Sequence, residues 1–230
     1  MRFQDAARDG RAVVYAGIQA DPLVARAAAL LAEASHAQRV LARAVMNGEA
    51  TDPAGWRTMF PTLFGEGGAG GASEDDRARS EAILAASLAV AERGEQVRSQ
   101  FRGAIVEALT ADLLARRVGA ASVRRERRIL FDGVRAEIHP YDVTVERDGA
   151  AEAHDCKWGA RGINADVLHQ LDDARTHAAE EDEHLTIGLV VFDAERSCRV
   201  RLDRQSAPNG STAIIGLESL DALATGVPRP

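Results

Sequence analysis

The sequence predicts an α/β protein, with an alanine-rich helical region over residues 1–99 and a mixed helix-and-strand domain over 100–230. Three observations carry this. Apolar residues recur at helical spacing before residue 100, and after residue 121 the period shortens to two in short runs bounded by turn residues. One later run, LTIGLVVF at 185–192, is continuously apolar, as a buried strand is. At 230 residues, 46% hydrophobic and 27% charged, the chain can hold one sizeable core plus an accessory region.

The elements follow in order. Residues 22–45 set Leu23, Ala27, Leu30, Leu31 and Ala34 on one stripe and are expected as a single helix, ended by Gly48, Pro53 and Gly55. GEGGAG, within the glycine-rich stretch 65–72, matches GxGxxG. No strand leads into it and no βαβ unit surrounds it, so it reads as a flexible linker. Glu74, Asp75 and Asp76 suit the start of a second helix. FRGAIVEALTADLLARR at 101–117 is an amphipathic helix with Ala104, Ala108, Ala111, Leu114 and Ala115 on its packing stripe and Glu107 at the border.

Three strands are then expected: ASVRRERRIL at 121–130, RAEIHPYDVTVER at 135–147 with Asp142 near its middle, and AEAHDCKW at 151–158. The DGA at 148–150 is a hairpin turn between the last two. Strand period puts Asp155 and Lys157 on one face and Cys156 on the other. Asn164 is the expected N-cap of a helix with Ile163, Val167, Leu171 and Ala174 as its apolar stripe. The strand at 185–192 follows, and RSCRVRL at 196–202 alternates as an edge strand would.

Composition narrows the function. No apolar run approaches the roughly 18 residues of a membrane span, and the chain does not start like a secretory signal, so a cytoplasmic protein without a membrane partner is expected. Cys156 and Cys198 lie without any CxxC, which fits reduced thiols. A formal charge of −7 argues against a generally basic surface but leaves room for a local patch. Arg116, Arg117, Arg124, Arg125, Arg127 and Arg128 supply one, opposed within the run 124–128 by Glu126 alone. His139, His154, His169 and His177 lack metal-ligand spacing and read as structural. Of the 28 basic residues one is a lysine, Lys157. A lysine ammonium is a compact charge whose pKa responds to its surroundings, which a guanidinium's does not.

The order α-β-β-β-α-β, an acid in the first helix, Asp142 in the second strand (HPYD) and Asp155-Cys156-Lys157 in the third resemble the PD-(D/E)XK nuclease superfamily over residues 100–202. Here Tyr141 separates the proline from the acid. The resemblance implies a restriction-endonuclease-like core and Mg²⁺-dependent hydrolysis of phosphodiesters, with Mn²⁺ able to substitute. It implies Asp142, Asp155, Glu107 and the backbone carbonyl of Cys156 as metal ligands, with Glu107, Asp142, Asp155 and Lys157 as the catalytic set. Lys157 would orient the attacking water or take its proton and neutralise developing charge. Arg124, Arg125, Arg127, Arg128, Arg161 and Gln170 are the expected nucleic-acid contacts, with DNA as partner. A protein partner on the N-terminal helices and a homodimer stay open. Two further readings compete: a non-catalytic module on the same fold, and an effector active only in a complex.

Overall fold

The structure, a computed structural model, describes residues 1–6, 10–65, 72–132, 134–135, 139–147, 150–205 and 213–226. The glycine-rich 66–71 and the hairpin turn Asp148-Gly149 lie outside them. The chain forms two compact units, 12–109 and a second made of Met1–Arg11 with Thr110–Pro230. The division therefore falls later than residue 99, and the N-terminal residues belong with the sheet.

In the helical unit, the expected helix over 22–45 is two helices, α2 (Pro22–Ala32) and α3 (His36–Asn47), preceded by α1 (Gly10–Gln19). The break is local chemistry. Ser35 accepts from the Gln38 N–H while the Gln38 side chain accepts from the Ser35 N–H, a capping box that starts a new helix inside an apolar pattern suited to one. Gln38 also reaches Ser80 Oγ at 3.0 Å, on α6 (Glu74–Ala91). The short helices α4 (Pro53–Met59) and α5 (Pro61–Phe64) lie between, and α7 runs from Glu95 to Val118, its last nine residues in the sheet unit.

The sheet unit holds β1 (Arg2–Asp5), β2 (Val123–Phe131), β3 (Val134–Arg135), β4 (Tyr141–Arg147), β5 (Ala150–Lys157), α8 (Ala165–Glu180), β6 (Leu185–Val191), α9 (Glu195–Arg204), β7 (Ala213–Ile215) and α10 (Ala222–Thr225). The strands form one mixed sheet in the order β1-β2-β4-β5-β6-β7, with β3 beside β2. β1, β2, β4 and β5 pair antiparallel, and β5-β6 and β6-β7 pair parallel. Each parallel pair needs a crossover, and α8 and α9 supply them. Asn164 caps α8 as expected, accepting from the Val167 N–H at 2.9 Å. Leu168, Leu171, Ala174 and Ala178 then bury in one core with Ile129, Ala153, Ile187, Leu189 and Val191. That core covers the face of β5 that carries Asp155 and Lys157.

Residues 196–202 are not an edge strand; they lie within α9. The alternation Cys198, Val200, Leu202 suggested period two, but only residues four apart face inward. Cys198 is fully buried and Leu202 packs against the core, whereas Val200 is 45% exposed. A helix here therefore predicts unequal sensitivity. Val200→Lys should leave the urea midpoint within about 0.5 kcal/mol of wild type, whereas Cys198→Asp, burying an unpartnered carboxylate, should lower stability by about 3 kcal/mol or more. Equal losses at both positions would contradict the helix.

Candidate functional site

The site lies where β4 leaves β5. Their ladder runs from Arg147↔Ala150 to Val143↔His154. Next along the strands, the Cys156 N–H donates to the Asp142 carboxylate, Oδ2, at 2.6 Å. On the other flank of β4, Arg125 pairs with Val143 and Arg127 with Tyr141, and between them Glu126 takes a left-handed backbone (φ 54°). Such a conformation is costly for a non-glycine residue. Asp142 thus sits level with an irregularity in β2, at the start of β4 rather than near the middle of a longer strand.

On β5, the parallel register sets Asp155 beside Leu189 and Lys157 beside Val191. Asp155 is 7% exposed. Its Oδ2 is buried and makes no hydrogen bond of acceptable geometry among the described residues. The Lys157 ammonium lies 2.7 Å from that oxygen, close enough for an ion pair but poorly aligned for a hydrogen bond. Burial works against the lysine's charge, yet the carboxylates of Asp155 and Asp142 outweigh it and hold its pKa above the ordinary 10.5. The two carboxylates thus favour its charged form.

Glu107 is buried, and within the helical unit its carboxylate accepts from Tyr15 Oη at 2.5 Å and Gln19 Nε2 at 2.8 Å, both on α1. Among the described residues no three His, Cys, Asp or Glu side chains converge as a metal-binding group. Gln170 is buried, and its amide spans the main chain of His139, donating to its carbonyl at 3.0 Å and accepting from its N–H at 3.3 Å. That bond pair ties the approach to β4 onto α8, a task other than the ligand contact expected of Gln170. The arginine run also divides. Arg124, Arg125 and Arg161 are exposed, whereas Arg127 pairs with Glu146 at 2.7 Å and with Asp5, and Arg128 is half-buried. Arg127's charge is thus already matched, and only part of the expected patch faces solvent.

Three contributors were not foreseen. Asp193, just after β6, accepts from the Ala160 N–H at 3.0 Å and so holds the 3-10 turn Ala160–Gly162 that follows Lys157. Arg201 of α9 donates to the Ile163 carbonyl at 2.9 Å. Gly162 packs against the Lys157 stem. The one cue to them in the sequence is the pair of glycines, Gly159 and Gly162, directly after Asp155-Cys156-Lys157. On the opposite face of β5, Glu152 pairs with Arg117 Nη2 at 2.6 Å and lies 3.3 Å from His154 Nε2. The His154 ring lies directly over Gly188, where a Cβ would come within 2.8 Å of its Nδ1.

The fold and site together define an α/β protein with a mixed sheet and a carboxylate–lysine cluster at a strand end. No family model matches this chain, and no curated protein matches it. Among solved structures it is similar to protein VC1899 from Vibrio cholerae, at 15% identity and a TM-score of 0.46, over 98% of this chain and 57% of that one. The chain thus spans little more than half the length of that protein. No helix among the described residues is long and apolar enough to cross a membrane.

Burial alone would raise the Glu152 carboxyl, but its bonds with His154 and Arg117 prevail and lower it from 4.5 to about 2. A depressed carboxylate stabilises the fold above its unfolded pKa and loses that contribution as pH falls through its folded one. Wild type should therefore lose about 2 to 3 kcal/mol more than Glu152→Gln between pH 4.5 and about 2. Urea melts of both proteins across that window check it, and parallel curves would show the pair contributes nothing.

Proposed function

We propose that this chain is a Mg²⁺-dependent nuclease with a restriction-endonuclease-like core, hydrolysing phosphodiester bonds in DNA. The observation that carries the reading is the meeting of Asp142, the Cys156 backbone and the Asp155–Lys157 pair at one strand end. The donor set fits the ion. Mg²⁺ prefers hard oxygens and keeps several waters, so two carboxylates and a carbonyl suffice. An extended residue directs its N–H and C=O to the same edge, so the Cys156 carbonyl points toward the side where its N–H meets Asp142. Asp155 Oδ2, a buried anionic oxygen without a well-formed hydrogen bond, is an atom a cation would satisfy.

When bound, the ion supplies a water acidic enough to attack near neutral pH and positive charge beside the phosphoryl oxygens. The chain's own residues do the rest. Asp142 and Asp155 would hold the ion together with the Cys156 carbonyl. Lys157, kept charged by these carboxylates, offsets negative charge as it builds on the phosphate. Glu107 belongs to the proposal through the family resemblance, and Tyr15 and Gln19 fix its carboxylate. A non-catalytic module on the same fold is the second reading, favoured by the absence of a three-acid group among the described residues.

Cleavage of supercoiled and linear DNA, and of single-stranded RNA, in Mg²⁺ and in Mn²⁺, with and without copurifying partners, separates the two. Asp155→Asn, Lys157→Ala and Lys157→Arg should each reduce cleavage by about 100-fold or more. Arginine keeps the charge but brings a planar fork where a point charge meets one buried oxygen. No cleavage by wild type under any of these conditions would move the assignment to the non-catalytic module.

DNA affinity gives a second check. Replacing the exposed Arg124 and Arg125 by Gln should flatten the salt dependence of binding by about 0.9 log units of slope per lost phosphate contact, whereas Arg127→Gln should leave the slope in place because its charge is matched internally. A slope unchanged by the Arg124 and Arg125 substitutions would remove that strand from the binding surface.

A further inference from the structure

We propose that Gly162 is a positioning residue for Lys157: the turn at 159–163 lies so close over the lysine stem that it sets where the ammonium points. The catalytic consequence rests on the nuclease reading; the clamp itself rests on packing. A Cβ at residue 162 would lie 3.0 Å from Lys157 Cδ and 3.1 Å from both its Cβ and its Cγ. The described glycines with a left-handed backbone are Gly119 and Gly226, so the missing side chain at 162 serves close approach rather than φ.

Neither partner can step back. Lys157 ends a strand paired at Val143↔His154 on one side and Lys157↔Val191 on the other, and its carbonyl accepts from the Phe192 N–H at 2.9 Å. Trp158, the next residue, stacks on Phe192 with ring centroids 4.9 Å apart. The turn is held equally firmly. Gly162 N–H donates to Gly159 O at 2.9 Å, and Ala160 N–H to Asp193 at 3.0 Å. Ile163 is fully buried, and its carbonyl accepts from Arg201 at 2.9 Å. A methyl group at 162 therefore presses on Cγ and Cδ, which yield by rotation of the lysine stem into another staggered rotamer, and on Cβ, which yields only if the turn shifts by a few tenths of an ångström. That rotation carries the ammonium away from Asp155. Gly159 is different, because a Cβ there would meet Asp193 Oδ2 at an ordinary 3.5 Å.

The single lysine makes the test direct. Lysine labelled with ¹³C at Cε gives one side-chain Hε–Cε cross-peak in the whole chain. Wild type should show nuclear Overhauser contacts from Gly162 Hα to the Lys157 γ and δ protons. Gly162→Ala should move the cross-peak, and Gly159→Ala should leave it in place. Arg201→Met, which loosens the turn without adding an atom, should weaken the contacts. In cleavage assays Gly162→Ala should lower kcat by about 10- to 100-fold with KM within about twofold of wild type, and should cost nothing further when added to Lys157→Ala. Missing contacts in wild type, or a cross-peak that Gly162→Ala does not move, overturn the clamp. Contacts and shift present in a wild type that cleaves nothing support the clamp and sink the nuclease reading instead. A cleaving wild type whose Gly162→Ala variant keeps full kcat overturns the catalytic part.

Discussion

The bond from the Cys156 N–H to Asp142 Oδ2, 2.6 Å long, takes over where the ladder of β4 and β5 stops at Val143↔His154. A buried backbone N–H must find an acceptor. Here the acceptor is a side chain, which lets the two strands part without leaving that donor orphaned. The same bond fixes the Asp142 carboxylate beside β5, and so beside Asp155 and Lys157. Had a backbone carbonyl filled the role, the ladder would continue past Val143↔His154. The left-handed Glu126 lies level with Asp142 on the other flank of β4, between the β2 residues that pair with Val143 and Tyr141.

Charge at this point is arranged with similar economy. Asp142 and Asp155 contribute two negative charges and Lys157 one positive, so without a cation the cluster carries a net single negative charge. Burying a carboxylate such as Asp155 costs several kcal/mol unless it is paired, and the Lys157 ammonium at 2.7 Å is that pairing. Under the proposed reading a divalent ion reverses the sign of the cluster and makes it attractive to a phosphate. The Lys157 ammonium, held where it is, would then add its charge to the ion's beside the phosphate.

Much of this was legible in the residues, and the failures have identifiable causes. The strands at 123–131, 150–157 and 185–191 and the Asn164 cap of α8 follow from period and capping chemistry, which act over a few residues. The helix at 195–204 reads as a strand because Cys198 and Leu202 satisfy both periods while Val200 fits period two, and only the core decides between them. The break at Ser35 was written as S-x-x-Q but hidden by a longer apolar stripe. β1 and β7, of four and three residues, are too short to show a period. Among site residues, Asp142, Asp155 and Lys157 are close in sequence and joined by a hairpin, so their proximity could be reasoned. The engagement of Gln170 with His139, of Arg127 with Glu146, and of Arg201 with Ile163 spans 19 to 38 positions, and no local rule reaches that far.

The lone lysine can now be argued from both ends of its side chain. Where this chain uses arginine in ion pairs, the fork often meets a carboxylate with two nitrogens: Arg57 on Glu81 at 2.7 and 2.8 Å, Arg127 on Glu146 at 2.7 and 3.2 Å. Both oxygens of those carboxylates are presented. At Asp155 the cation meets one buried oxygen, Oδ2, where a point charge loses nothing and a fork wastes half its donors. At the other end, the Gly162 backbone leaves a slot the width of a methylene chain. Arginine shares the Cβ, Cγ and Cδ methylenes that this slot holds, so the two side chains differ only beyond it, where lysine ends in a point charge and arginine in a planar fork. The single buried oxygen at Asp155 thus favours a point charge before proton chemistry is considered, at the one position where a chain otherwise supplied with arginine keeps lysine.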